Sequence, residues 1–187
     1  MMIDLVVARY KEDVSWTQSP DFEKFHVIVY DKSGQETPYT AIPNPGGNEA
    51  HTYLWHMSYH YDTLADYTAF VQGNPFDHIS YERLVWELNN PEPQEFTWLA
   101  GEIYECDWQG LPHHPGLPLA QIYAAATGRI SPPNFRFGVG GQFMVHKSLI
   151  RNKPIYHYQR NLQTVANGFT PHPVWCGYER FWDQLFT

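Results

Sequence analysis

The segment between residues 44 and 78 constrains the fold of this chain more than any other part of the sequence. It consists of a glycine turn, an amphipathic helix, a short connector, an apolar strand and then a polar loop. The helical pattern runs from about Asn48 to Tyr61, and the apolar strand runs from Tyr67 to Val71. A helix that leads directly into a buried strand is typical of the crossover connections in a parallel sheet.

Two apolar runs that precede this segment are also predicted to be strands. They extend from Ile3 to Ala8 and from Phe25 to Tyr30, and a short third strand is predicted from Tyr39 to Ile42. A chain of 187 residues is of a suitable length for one domain with a sizeable core. We therefore predict a single-domain α/β fold with a mostly parallel sheet flanked by helices.

The second half of the chain is dominated by proline between residues 89 and 134. So long an interrupted region indicates a lid or binding loop, in which Leu117 to Thr127 is predicted to form one embedded helix. Strand character returns from Phe137 to Val145. Two helices are predicted after it, one from His146 to Leu162 with a kink at Pro154 and one from Gly177 to Phe186.

The charge balance argues against a broad surface for nucleic acid or anionic membranes. The chain has 12 Lys and Arg against 20 Asp and Glu, a net charge of −8, and both partners require clustered cations. No apolar stretch approaches the roughly 20 residues of a membrane span, and the first residues do not resemble a secretory signal. Cys106 and Cys176 are too few for a disulfide framework, so we expect reduced cysteines in a cytoplasmic protein.

The candidate site residues follow the predicted strands, because ligands of open α/β sheets bind beyond the carboxyl ends of the strands. Arg9 follows the first strand and either contacts a diphosphate or forms a surface ion pair. Asp31 ends the second strand and either binds a ligand or caps a turn. Glu49 opens the helix, where the helix dipole favours a carboxylate. The buried strand is followed by Gln72, Asn74, Asp77 and His78.

Two histidine pairs offer metal-ligand chemistry with weaker support. His56 and His60 have helical i, i+4 spacing, but no glutamate follows His56 as in a zinc protease motif. Hydrogen-bonded core histidines are the favoured interpretation. The loop pair His113 and His114 could bind a soft divalent ion. A zinc hydrolase would need three converging ligands and a water.

Several motifs together resemble an uncharacterised domain family that is common in fungi. They are a Gly-x-Glu helix start at Gly47–Glu49, a Leu-x-Asp-Tyr-x-x-Phe strand at Leu64–Phe70, Gln-Phe-x-Val at Gln142–Val145 with Ile150, and a terminal Glu-x-x-Trp-x-x-x-Phe at Glu179–Phe186. This likeness covers nearly the whole chain except the Pro-rich region.

A more distant likeness is to the nucleotide-sugar glycosyltransferases of the A-type fold, especially family two. The resemblance implies that Asp31 contacts the nucleotide and that Glu49 contacts a ribose or the acceptor. It also implies that Glu179, at the start of a late helix, acts as the general base. Asp77 with His78 would orient an acceptor hydroxyl or bind metal. The family's metal-binding Asp-x-Asp aligns with Gln72-Gly-Asn74.

This alignment departs from the family in its chemistry. Carboxylates hold Mg²⁺ or Mn²⁺ beside a nucleotide diphosphate, whereas Gln72 and Asn74 offer neutral oxygens. Either Asp77 and His78 supply the ligands, or the site works without metal, or catalysis has been lost. The expected function is sugar transfer from a nucleotide-sugar donor to a hydroxyl acceptor. The alternatives are a non-catalytic nucleotide- or carbohydrate-binding protein and, third, a metal-dependent hydrolase.

Overall fold

The computed structural model describes residues 1–93, 95–109, 116–167 and 174–187. Its strands are β1 (Ile3–Arg9), β2 (His26–Asp31), β3 (Thr40–Ala41), β4 (Tyr67–Gln72), β5 (Phe96–Trp98), β6 (Ile103–Asp107), β7 (Asn134–Gly138) and β8 (Phe143–His146). Its α-helices are α1 (Asn48–Tyr59), α2 (Tyr81–Asn89), α3 (Leu119–Thr127), α4 (Lys147–Arg151), α5 (Ile155–Asn167), α6 (Val174–Glu179) and α7 (Trp182–Leu185).

Six of these strands form one mostly parallel sheet in the order β3-β2-β1-β4-β8-β5. Strands β1 to β4 are parallel, while β8 runs antiparallel to both β4 and β5. Strands β6 and β7 pair separately as an antiparallel ribbon. The predicted single α/β domain with a mostly parallel sheet is therefore confirmed.

The chain reverses its direction of travel across the sheet at β1. It passes from β1 to β2 and β3 on one side, then returns through α1 to β4 on the other side. The register pairs Arg9 with Asp31 and Ala8 with Gln72, so the carboxyl ends of the three strands lie side by side. This topological switch point is where ligands bind in open α/β sheets.

Helices cover both faces of the sheet because the strand side chains alternate between them. Val6 and Phe70 pack against α1 on one face, where Tyr53, Leu54 and Met57 are fully buried. The other face carries the side chains of Leu5, Val7 and Val71, which pack with Leu84 and Leu88 of α2. Such double coverage is the reason that the strands read as continuous apolar runs.

The Pro-rich region from 89 to 134 contains more regular structure than a loop. Strand β5 is an edge strand of the main sheet, β6 pairs with β7, and α3 corresponds to the predicted embedded helix. The single strand predicted from Phe137 to Val145 is wrong, because a turn with left-handed glycines at Gly140 and Gly141 divides it into β7 and β8. No helix in the described part of the chain is long and apolar enough to cross a membrane.

Candidate functional site

A cavity of about 600 Å³ opens at the carboxyl ends of β1, β2 and β4. Most of its described wall residues are polar. They contain the carboxylates Glu12, Glu49 and Asp77, the cations Arg9 and Lys32, the hydroxyl of Thr52, and the amides Asn44, Asn48, Gln72 and Asn74. The structure therefore brings Arg9, Glu49, Gln72, Asn74 and Asp77, all candidates from the sequence, into one cleft.

Asp31 lies beside this cleft but is held by its own chain. Its carboxylate forms an ion pair of 2.9 Å with Arg9 and accepts hydrogen bonds from the Ser33 N–H at 2.8 Å and the Thr37 hydroxyl at 2.6 Å. Burial acts to raise the pKa of Asp31, but the bonds from Thr37 and Ser33 and the Arg9 charge outweigh it and hold the pKa below its usual value. Asp31 thus caps the turn after β2 and anchors Arg9.

Arg9 keeps one side towards the cavity while it holds the loop that follows β1. Its Nε donates to the carbonyl oxygen of Glu12 at 3.0 Å, and its guanidinium lies 5.3 Å from the ring centroid of Tyr39. Both contacts fix the cation at the carboxyl end of β1. An anionic ligand group would meet a positioned guanidinium there.

Lys32 is a site residue that the sequence analysis did not identify. Its ammonium donates to the carbonyl oxygens of Gly46 at 3.2 Å and Asn48 at 2.8 Å, and the residue is only 6% exposed. Burial lowers its pKa to about 8, against the opposing charge of Glu49. Lys32 therefore ties the end of β2 to the start of α1 and places a cation inside the cleft.

Glu49 combines exposure to the cavity with a strongly shifted acidity. Its pKa is raised to about 7, mainly by burial and also by the charge of Glu179, while its own backbone N–H, Lys32 and Arg180 oppose the shift. Both protonation states are consequently populated near neutral pH. A carboxylate with such a pKa suits general acid–base catalysis.

Hydrogen bonds connect Gln72 to Glu179 through the backbone of Gly140. The Gln72 Nε2 donates to the Gly140 carbonyl oxygen at 3.0 Å, and the Gly140 N–H donates to Glu179 Oε1 at 2.9 Å. The other oxygen, Oε2, forms an ion pair with the buried Arg180. This chain fixes the orientation of the Gln72 amide at the cavity wall.

Glu179 does not begin the last helix, as the sequence suggested, but is the final residue of α6. The prediction was wrong because it places a helix boundary at Cys176-Gly177. In the structure Gly177 lies within the helix, and a Cβ on it would approach Cγ2 of Ile122 to 2.8 Å. The glycine thus permits close packing of α6 on α3. Glu179 is not among the described residues that line the cavity.

The loop after β4 separates two residues that were proposed as metal ligands. Asp77 is exposed at the cavity wall beside Asn74, whereas the ring of His78 packs against Gly140. Among residues 1–93, 95–109, 116–167 and 174–187, no group of three or more His, Cys, Asp or Glu side chains is placed to hold a metal ion.

The helical histidines lie outside the cavity wall. His56 is fully buried, and its Nδ1 lies 3.1 Å from the Tyr30 hydroxyl. Burial lowers its pKa to about 3, helped by the charges of His60 and His26. The ring of His60 stacks on that of His56 at 4.7 Å. His56 is therefore a neutral core residue, as favoured above, while His113 and His114 lie outside the described residues.

Comparison with known proteins identifies a family but no characterised relative. A family model described as a protein of unknown function (DUF3431) matches residues 5–100, a range that contains all the described residues of the cavity wall. No curated protein matches the chain. No solved structure matches it either. Because the matched range spans more than half of the sequence, the chain belongs to the DUF3431 family.

Proposed function

We propose that this cleft transfers a sugar from a nucleotide-sugar donor to a hydroxyl acceptor, with Glu49 as the general base. The observation that carries the proposal is the position of Glu49. It lines a polar cavity at the switch point of a parallel sheet, and its pKa is about 7. A glycosyltransferase A-type fold is part of this proposal and is supported by the crevice between β1 and β4.

The proposed step is a substitution at the anomeric carbon of the donor sugar and needs no oxidant or reductant. The acceptor hydroxyl gives its proton to the Glu49 carboxylate, and its oxygen forms a new bond to the anomeric carbon of the donor sugar. The bond between that carbon and the diphosphate oxygen breaks, and its electron pair leaves with the nucleoside diphosphate. Glu49 then returns the proton to solvent. A positioned base of this kind contributes a rate factor of roughly 10²–10⁴.

The proposed base is Glu49, whereas the resemblance implies Glu179. Glu179 has one oxygen on the Gly140 N–H and the other on Arg180, so both of its oxygens already have partners. Glu49 faces the cavity instead. Glu179 acts on the reaction through its charge, which raises the pKa of Glu49.

The donor diphosphate is assigned to the cationic side of the cleft. Arg9 lies at the end of β1, and the Asn44 and Asn74 amides supply neutral donors nearby. The described part of the chain has no group of three or more His, Cys, Asp or Glu side chains placed to hold Mg²⁺ or Mn²⁺. The proposed step accordingly uses no metal ion.

The test is release of nucleoside diphosphate from UDP-glucose, UDP-galactose, UDP-N-acetylglucosamine and GDP-mannose, with and without Mn²⁺. We expect turnover of at least one donor by the wild type, rising with pH through about 7 as Glu49 ionises. Glu49→Gln should reduce kcat by roughly 10²-fold or more and leave donor binding nearly unchanged. Glu82→Gln, which removes an exposed carboxylate from the first turn of α2, is the matched control.

The proposal fails if no donor stabilises the protein in thermal shift, or if Glu49→Gln turns over a donor as fast as the wild type. A pH profile that remains unchanged in Glu49→Gln would also contradict the assignment of the base.

A second candidate is a nucleotide- or carbohydrate-binding protein without catalysis. It is favoured by one observation: Gln72 and Asn74, which align with the metal-binding Asp-x-Asp of the glycosyltransferases, place neutral amides at the cavity wall. Under this alternative, nucleotide sugars stabilise the wild type and Glu49→Gln equally. No nucleoside diphosphate would then be released by either protein.

A further inference from the structure

The floor of the cavity, where α1 begins, carries a buried hydroxyl without a partner. Thr52 is 0% exposed and lines the cavity, yet its Oγ1 makes no hydrogen bond within the described structure. Buried polar side-chain atoms nearly always have a partner. Thr52 lies three residues after Glu49, on the same side of the helix. The hydroxyls of Thr68 and Ser58 also lack a partner within the described structure, but Thr52 lines the cavity, so its hydroxyl is the one placed beside a ligand group there.

Beside Thr52, Lys32 can donate a further hydrogen bond and Glu49 can accept one. The Lys32 ammonium has three N–H donors, and two carbonyl oxygens, of Gly46 and Asn48, occupy two of them. Lys32 and Glu49 interact electrostatically, but they do not appear among the direct ion pairs of the described residues. One ammonium N–H and the remaining acceptor capacity of the Glu49 carboxylate, which also interacts with its own backbone N–H, are therefore left for a group between them.

We infer that Lys32, Glu49 and Thr52 form an acceptor subsite that recognises two adjacent hydroxyl groups of a sugar or polyol. One hydroxyl accepts from Lys32 Nζ and donates to Glu49. The neighbouring hydroxyl bonds to Thr52 Oγ1 and to the second Glu49 oxygen. This inference rests on the proposed function, since the hydroxyl held by Glu49 is the one that it deprotonates.

The charges around the subsite select a neutral ligand. Glu49 belongs to the subsite and would repel a phosphate or carboxylate placed between it and Thr52. An amine would meet the Lys32 ammonium, which burial already disfavours in its charged form. A neutral diol both donates and accepts hydrogen bonds, so it satisfies the ammonium, the carboxylate and the hydroxyl together.

The test uses methyl glycosides of glucose, galactose and mannose and their monodeoxy analogues, measured by saturation-transfer NMR and by thermal shift. We expect at least one glycoside to bind. Removal of either member of one adjacent hydroxyl pair should weaken binding roughly tenfold, as the loss of a hydrogen bond to a charged group does. Removal of a hydroxyl elsewhere should change binding by less than about twofold.

A matched pair of variants separates the subsite from general packing. Thr52→Val should weaken glycoside binding by roughly fivefold to tenfold. Thr68→Val is the control, because Thr68 of β4 is also buried with an unpartnered hydroxyl but is not among the described residues of the cavity wall. It should leave binding unchanged.

Three results would overturn the inference: no glycoside binds, the deoxy analogues bind as well as their parents, or Thr52→Val and Thr68→Val behave alike. Failure of the proposed function gives a different pattern. In that case glycosides bind with the diol requirement, but nucleotide sugars are neither bound nor turned over. If nucleotide sugars are turned over with acceptors that lack adjacent hydroxyls, the function stands and the subsite is refuted.

Discussion

At the residue scale, the acidity of Glu49 depends on charges that do not touch the cavity. Glu179 and Arg180 form a buried ion pair behind the Gly140 turn. Burial itself is the main cause of the raised pKa of Glu49, and the Glu179 charge adds to it, while Lys32 and Arg180 act in the opposite direction. The pair therefore adjusts the base without a direct contact with the ligand.

Glu179→Gln tests this coupling. The amide oxygen still accepts from the Gly140 N–H, but the negative charge that helps to raise the pKa of Glu49 is lost. We expect the pKa of Glu49 to fall below its wild-type value of about 7, measured by carboxyl ¹³C NMR titration. Arg180 keeps the Cys176 carbonyl oxygen but loses a charged hydrogen-bond partner, so the free energy of unfolding should fall by about 1.5–3 kcal/mol.

Rescue by Glu179→Asp and a kinetic comparison distinguish adjustment from catalysis. Glu179→Asp retains the charge and should keep the Glu49 pKa near that of the wild type. If Glu179→Gln abolishes turnover while Glu49 titrates as before, Glu179 is the base after all. That result would restore the role that the resemblance to family-two transferases implied.

At the element scale, periodicity predicted the strands and the helix that supply the centre of the core. Strands β1, β2 and β4 and helix α1 were found because covered strands are continuous apolar runs and an amphipathic helix has a regular stripe. Strands β5, β6 and β7 were missed or merged, since short strands among prolines carry little pattern. Sequence alone could not show that they pair with distant partners.

The site was predicted less completely than the fold, for a physical reason. Arg9 and Gln72 are the last residues of β1 and β4. Asn74 and Asp77 lie in the loop after β4, so the predicted strand ends placed all four residues at the cleft. Lys32 lies directly after β2, and its burial depends on the carbonyl oxygens of Gly46 and Asn48, which are more than ten residues away. Tertiary contacts of this kind have no local signal.

The start of α1 depends on the glycine that precedes it. Gly47 occupies the cap position with φ of 77°, and Asn48 itself has φ of 41°. A Cβ on Gly47 would collide with Val165 of α5 and lie 3.1 Å from Cβ of His51. The glycine thus allows both the left-handed turn and the contact between α1 and α5.

We expect Gly47→Ala to lower the free energy of unfolding by about 2–5 kcal/mol, from left-handed strain together with overpacking. Gly34→Ala is the matched control, because Gly34 has a similar φ of 71° and no atom within 4 Å of an added Cβ. Strain alone should cost it about 1–2 kcal/mol. Equal losses in urea denaturation would show that the α5 contact does not restrict Gly47.

At the scale of the whole molecule, buried neutral histidines make stability depend on pH. Burial lowers the pKa of His51 to about 4, of His56 to about 3 and of His157 to about 4, each from an unfolded value of 6.5. Below pH 6.5 these histidines are protonated in the unfolded chain but remain neutral in the folded chain. Their contribution to the free energy of unfolding is therefore fully present above pH 6.5 and is lost as the pH falls.

Two buried carboxyl groups act in the opposite direction. Burial raises the pKa of Glu49 from 4.5 to about 7 and that of Asp183 from 3.8 to about 6. In the folded state they take up protons before the unfolded chain does, so acidification from pH 7 favours folding through them. Each histidine costs about 2 kcal/mol between pH 7 and pH 5, and the carboxyl groups together return about 4 kcal/mol.

The expected balance is a loss of about 2 kcal/mol in the free energy of unfolding between pH 7 and pH 5, measured by urea denaturation. Two variants should change this difference in opposite directions, whatever they do to stability at pH 7. His56→Gln removes one acid-labile group and should nearly abolish the loss. Glu49→Gln removes an opposing group and should roughly double it. Since both side chains lie on α1, a general weakening of that helix would lower stability at both pH values alike, and only titration of the two groups would split the pH dependence in this way.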